Sequence, residues 1–317
     1  MTKASPCIID CDPGIDDTLA ILHAMGSPKV DVKAITLTYG NTNRDNVTKN
    51  LFTILHILGK EVSSERLATL PAGPNRDRLE HIRSKKPVVS VGASKPLVVS
   101  PAYGEDFHGP DGLGRLHLND PSLAPSDWDD ILKTLDPEGL GKELAKAEEP
   151  SEKLFTLSRR LAHDEILHQL EQSEPNTLTI IAIGPLNNVA LAYEKDPVTF
   201  ARCKRVICMG GCFDIPGLHY TSMHLHDPLC IGFFMDLENE EDLAKVGWKV
   251  EGRDVRIESD GTLTRGMLVV DRRVKSTVPA PGKQSLVQVV LKADPERYLV
   301  SMLYDIWGVT DYKGREI

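Results

Sequence analysis

Four aspartates, Asp10, Asp12, Asp16 and Asp17, fall within eight residues around the bend Pro13-Gly14. Carboxylates packed this closely repel one another strongly unless a cation sits among them. Their oxygens are hard ligands that suit Ca2+ or Mg2+, and nothing nearby offers the Cys/His set that zinc prefers. A single Asp at a helix start is more often a cap than a ligand. Four exceed what capping needs, and the stretch reads as a metal site.

The flanking residues must form the elements that hold it. Cys7-Ile8-Ile9 is an apolar run, and a strand ending near Asp10 points Asp12 at the crevice beyond its carboxyl end, where open α/β sheets bind ligands. Ile15, Leu19, Leu22 and Met25 recur at helical spacing until Gly26-Ser27-Pro28, which places Asp16 and Asp17 in a first helical turn, where free N–H groups favour negative charge. A second strand over 30–38 ends in Tyr39-Gly40-Asn41. Asn41 by itself reads equally as a turn former. A helix over 44–58, a strand-like stretch over 88–99 and a buried strand over 177–183 follow, the last running into Gly184-Pro185-Leu186-Asn187-Asn188. Residues 205–208 form a further strand before Met209-Gly210-Gly211.

Two stretches stand apart. The loop Phe107-His108-Gly109-Pro110-Asp111-Gly112-Leu113-Gly114 is glycine-rich but lacks the order of a phosphate-binding loop, which argues against nucleoside triphosphates. An isolated loop histidine such as His108 is ordinarily solvated. Residues 119–152 are polar, acidic and broken by Pro and Ser, which predicts a weakly helical or mobile surface insertion.

The whole chain, 317 residues at 41% hydrophobic content, can bury a large core. A net charge of -9 disfavours nucleic acid and anionic membranes as partners and leaves a small molecule. No apolar stretch is long enough to span a bilayer, and an intracellular, cytoplasmic protein is expected. The six cysteines show no C-x-x-C spacing and read as reduced core or near-site thiols.

The segment Asp10-Cys11-Asp12-Pro13-Gly14-Ile15-Asp16-Asp17 resembles the N-terminal signature of the inosine-uridine-preferring nucleoside hydrolases. So do residues 36–50, the loop 107–114, Gly184-Pro185-Leu186-Asn187-Asn188 and Met209-Gly210-Gly211. The resemblance implies an α/β fold, a mostly parallel central sheet with helices on both faces (Rossmann-like), and one hydrolase-like domain over 1–317. It implies calcium-dependent hydrolysis of the N-glycosidic bond of purine or pyrimidine ribonucleosides. By the same resemblance Asp12, Asp17, the Ile183 carbonyl and Asp227 bind Ca2+, and Asp12 takes a proton from water. Asp16 and Asn41 grip ribose hydroxyls, Met209 lines the sugar site, His108 lies near the substrate, and His226 serves the leaving base. A homodimer or homotetramer is also implied.

One departure stands out. The family's A-E-F-N segment, with a strand and helix after it, has no counterpart between Gly217 and Leu218, and Thr221 stands where the family's Glu falls. His226-Asp227-Pro228-Leu229 fits the family's later H-D-P-L motif, which predicts a sheet missing one strand-helix unit. The alternative is a shortened calcium-binding homologue, such as a splice or gene-model variant, with impaired chemistry. A phosphotransferase with an aspartyl nucleophile also opens with D-x-D, but it leaves Tyr39-Gly40-Asn41 and His226-Asp227-Pro228 unexplained.

Overall fold

The computed structural model describes residues 4–98, 100–101, 103–135, 153–211, 226–239, 242–258, 267–270 and 287–312. In chain order the elements begin β1 (Ser5–Cys11), α1 (Ile15–Gly26), β2 (Val30–Leu37), α2 (Arg44–Glu61), α3 (Ser64–Ala68), α4 (Pro74–Ser84) and β3 (Val88–Val91). They continue α5 (Glu105–His108), α6 (Leu116–Asn119), α7 (Trp128–Leu135), β4 (Thr156–Leu157), α8 (Ala162–Gln172), β5 (Thr179–Ala182), α9 (Asn187–Lys195), α10 (Pro197–Phe200) and β6 (Arg205–Cys208). The last are α11 (His226–Glu238), β7 (Lys249–Arg253), β8 (Val255–Ile257), β9 (Leu268–Val270), β10 (Val287–Lys292) and α12 (Pro295–Trp307).

Six strands form one parallel sheet in the order β4-β3-β2-β1-β5-β6. The chain builds outward from β1 through β2, β3 and β4, then returns to β5 on the other side of β1. That reversal is the topological switch point at which open α/β sheets form a crevice. β1 is buried on both faces, as its apolar run requires of a central parallel strand. Its side chains alternate between two cores. Cys7, Ile9 and Cys11 join residues of α1, α2 and α11, whereas Ile8 joins Ile166 of α8 and Val189 of α9.

α12 holds together the two helices that carry the carboxylates of interest. It packs on α1 through His23 Nε2 and Asp305 Oδ2, 3.1 Å apart and both buried. Its Tyr298 ring fills the notch left by Gly232 of α11. Arg297 pairs with Asp236 of α11, whose carboxylate also accepts the Trp248 indole N–H at 2.7 Å.

Several sequence expectations change. The strand expected over 88–99 ends at Val91, because Gly92 turns the chain and Ala93 N–H is taken by Asn188 Oδ1 at 3.0 Å instead of by a neighbouring strand. The first half of the acidic stretch holds α7, whose Trp128 packs against the core; residues 136–152 lie outside the described residues. The junction at Gly217-Leu218, together with Thr221 and Cys212, also lies outside them. Among the described residues β6 is the last strand of the sheet, and its Val206 is exposed.

The α1–α12 contact gives a direct test. A Cβ on Gly26 would stand 1.9 Å from the Asp305 carbonyl oxygen, a backbone atom that cannot rotate away. Gly26→Ala is expected to destabilise the chain by about 1–3 kcal/mol through overpacking. A lower urea midpoint at unchanged slope would show it, and an unchanged midpoint would show that α12 is not docked there.

Candidate active site

A cavity of about 620 Å³ opens at the carboxyl end of the sheet, over the switch point. Its lining brings together Asp12, Asp16, Asn41, His108, Ile183, Met209, His226 and Asp227, eight of the nine residues singled out in the sequence. The ninth, Asp17, is fully buried beneath it. The volume suits a ligand of nucleoside size.

Asp12 follows β1, and its carboxylate is held from two sides. Asn41 N–H donates to Asp12 Oδ2 at 2.7 Å. A Cβ on Gly40 would lie 2.0 Å from that same oxygen, and one on Gly184 would lie 2.7 Å from Asp12 Oδ1. Only residues without a side chain let the turns after β2 and β5 close on this group.

Asp17 does what a cap does and keeps capacity for more. Its Oδ2 accepts Gly14 N–H at 3.0 Å and Asn41 Nδ2 at 2.9 Å, and its Oδ1 accepts Asp12 N–H at 3.1 Å. A carboxylate offers about four acceptor positions. The free one belongs to Oδ1, and the charge of Asp17 acts on Asp227 across the site. Asp16, Asp17 and Asp227 each place one carboxylate oxygen within 4.8 Å of the others.

Asn41 donates through Nδ2 to the Asp12 carbonyl at 3.1 Å as well as to Asp17. Both amide hydrogens are therefore spent, and Oδ1 is left as an acceptor. His108 is not a solvated loop residue: it is buried, because its Nδ1 accepts Ile15 N–H at 3.3 Å. That bond leaves the proton on Nε2, which faces Asp16 Oδ1 at 3.9 Å. Burial lowers the His108 pKa against the pull of Asp16, so the ring favours its neutral form.

Asp10, the first of the four clustered aspartates, belongs elsewhere. The alternation of β1 turns it to the opposite face from Cys11, where Thr36 Oγ1 and Asn188 Nδ2 donate to its Oδ1 at 2.6 and 2.8 Å. Its place in the cluster is taken by Asp227, in the first turn of α11 and almost completely buried. Sequence spacing missed the rim residues Asp106, Phe107 and Leu186, and Asn188, which holds Asp10 away from the cavity. The signal was present for Asn188, which lies in the quoted Gly184–Asn188 run beside a strand end.

The electrostatics are those of a site short of positive charge. Among the described residues lining the cavity there is no lysine or arginine. Burial, and then the charge of Asp17, pushes Asp12 well above the usual carboxylate range. Burial and the charges of Asp17, Asp16 and Asp12 do the same to Asp227. Asp17 is pushed up to about 6 by burial and Asp16, against its hydrogen bonds. Asp16 Oδ1 and Asp227 Oδ1 are buried without a hydrogen-bond partner. Three buried carboxylates with one oxygen each within 4.8 Å of the others fit a hard divalent cation, and the donor set is all oxygen.

Fold and site together define an open parallel α/β protein with a carboxylate-lined cavity at its switch point. The inosine-uridine preferring nucleoside hydrolase family matches residues 7–220, and the chain belongs to it. It is 29% identical over 212 residues to the pyrimidine-specific ribonucleoside hydrolase RihA of Salmonella arizonae, a match covering 67% of this chain and 50% of that protein. A RihA of Escherichia coli matches with the same identity and coverage. The chain thus spans about half the length of the curated relatives it matches. Among solved structures, a plant nucleoside hydrolase, the PpNRh1 enzyme, superposes with a TM-score of 0.63 at 20% identity, over 95% of this chain and 98% of that one. A purine-preferring ribonucleoside hydrolase from Gardnerella vaginalis gives 0.63 at 19% identity, over 96% and 98%. The fold is therefore the nucleoside hydrolase fold. The family match ends at residue 220, so the placement of His226 and Asp227 rests on the geometry.

The buried carboxylates set the sign of a pH effect. Asp12, Asp17 and Asp227 have folded pKa values raised above their ordinary values. The native state then holds more protons than the unfolded chain, and stability falls as pH rises from about 4 through about 6 and beyond. Cation-free protein is expected to lose melting temperature over that window, and a saturating divalent cation to restore it at neutral pH. Asp227→Asn removes one repelling charge. It should match or exceed the parent's melting temperature without cation and lose most of the gain that a divalent cation gives; a full gain in the variant would exclude Asp227 from the site.

Proposed function

We propose that the chain hydrolyses the N-glycosidic bond of ribonucleosides, releasing base and ribose, with Ca2+ as its cation. The observation that carries this reading is the convergence of Asp12, Asp16, Asn41 and Asp227, with Asp17 directly below, on one nucleoside-sized cavity. Asp12, Asp17, Asp227 and the carbonyl of Ile183 would hold the cation. Bound there, a divalent cation supplies the positive charge that eases loss of a proton from water and anchors sugar hydroxyls.

The chain's own groups divide the remaining work. Asp12 is fixed by Asn41 N–H on one oxygen, and its other oxygen suits a base that takes a proton from the attacking water. Asp16, with an unpartnered buried oxygen, and Asn41, with only Oδ1 available, are both acceptors and suit ribose hydroxyls, which donate. Cleavage passes through an oxocarbenium-like sugar, whose developing positive charge the surrounding carboxylates stabilise. Met209 packs against the core on one side and lines the cavity on the other, giving the sugar an apolar wall. His226, exposed at the start of α11 and lining the cavity, would give a proton to the leaving base. Phe107 and His108 stack edge to face, 4.7 Å between centroids, at the rim.

Release of reducing sugar from inosine, uridine, adenosine and cytidine, with calcium and with chelator, tests this. Calcium-dependent release is expected from at least one nucleoside. Asp12→Ala should reduce kcat by roughly 100-fold or more, within the range for loss of a general base. A folded protein that binds calcium but releases no sugar from any of the four would contradict the proposal.

A further inference from the structure

Asn50 lies outside the cavity and is fully buried in α2. Its Nδ2 donates to the Pro13 carbonyl at 2.8 Å and to the Asp111 carbonyl at 2.9 Å. Pro13 belongs to the acidic turn, between Asp12 and Gly14. Asp111 belongs to the loop over 107–114 that carries His108. One amide therefore ties the two segments that face each other across the cavity mouth.

The tie is built from both sides. The Asn50 Oδ1 can only accept and meets His117 Nε2 at 2.9 Å, so that ring nitrogen carries the proton and donates. Asp111 closes the loop on itself, its carboxylate accepting the N–H groups of Leu113, Arg115 and His117 at 3.0, 2.8 and 2.9 Å. Gly112 has φ +80, and a Cβ there would stand 2.9 Å from Asn50 Nδ2, so the loop backbone can reach the amide only through a glycine. The second contact between the segments is the bond from Ile15 N–H to His108 Nδ1, at 3.3 Å the longer one. The Pro110 carbonyl of the loop also accepts Thr42 Oγ1 at 3.3 Å and Asn46 Nδ2 at 3.5 Å, and the buried bonds of Asn50 are the shortest of the set.

We propose that Asn50 is a positioning residue: its two amide hydrogens set the height of the His108 loop above the acidic turn, and so the place of His108 against Asp16 and the substrate. The cation carboxylates have supports of their own, since Asp17 is held by Gly14, Asp12 and Asn41, and Asp12 by Asn41. Loss of Asn50 therefore loosens the loop and leaves the cation ligands in place. The kinetic part of this inference rests on the hydrolase reading above; the positional part does not.

Asn50→Asp keeps shape and the acceptor for His117 but deletes both donors. Asn50→Ser leaves room for water and carries the test if the first variant does not fold. His117→Gln, which keeps a donor toward Asn50, is the conservative control. In the full-length, calcium-loaded protein, amide exchange at Ile15 is expected to quicken about tenfold or more in the Asn50 variants. The His108 ring nitrogens, read by NMR, should move from one tautomer to a mixture. Calcium affinity should stay within about threefold, while kcat/KM for a nucleoside falls roughly 10- to 100-fold, the range for supporting residues. His117→Gln should remain near the parent in every readout. Unchanged Ile15 exchange and His108 shifts in a folded Asn50 variant would overturn the proposal. So would a fall in calcium affinity as large as the fall in kcat/KM, which would assign Asn50 to the turn alone. If the parent releases no sugar, the hydrolase reading fails, and the exchange and tautomer measurements still decide the role of Asn50.

Discussion

The mutual repulsion of buried carboxylates is the constraint on which this structure turns. Asp12, Asp16, Asp17 and Asp227 are all buried at one end of the sheet, and the described lining of the cavity supplies no lysine or arginine to offset them. Like charges at a few ångströms in a partly dehydrated site cost several kcal/mol when left ionised. A fold that keeps such a cluster must protonate it or fill it with a cation. The supporting architecture is arranged so that the oxygens cannot turn away. Asp17 is pinned by three donors, Asp12 is clasped between two glycine turns, and Asp227 is almost completely buried in the first turn of α11.

The sheet topology explains how distant residues meet. β1 delivers Asp12, β2 delivers Asn41, β5 delivers Ile183 and β6 delivers Met209, because parallel strands end at the same edge and the chain reverses its direction of growth at β1. α1 starts at that edge and carries Asp16 and Asp17 in its first turn, where free N–H groups favour negative charge, and α11 carries Asp227 in its first turn.

Much of this was legible in the sequence. The apolar run ending at Asp10, the helical spacing from Ile15 to Met25 and the polar residue on a glycine turn at Asn41 each mark a strand end or helix start, and those local signals are strong. Other features follow from three-dimensional packing and leave no local trace. Asp10 looks like a fourth ligand until the alternation of β1 sends it to α9 and Asn188. His108 looks like a solvated loop residue until Ile15 N–H, 93 positions away, claims its Nδ1. Asn50 bonds partners 37 and 61 positions distant, and a buried amide in an amphipathic helix carries no periodic signature of such contacts. The stretch over 119–135 reads as acidic surface by composition, yet Trp128 finds the core and orders α7 against α2.

The central claim is that this cluster exists to hold a cation. A crystal structure determined with calcium present tests it most directly. The account predicts anomalous density bounded by oxygens of Asp12, Asp17, Asp227 and the Ile183 carbonyl. A map without density at that spot would contradict it.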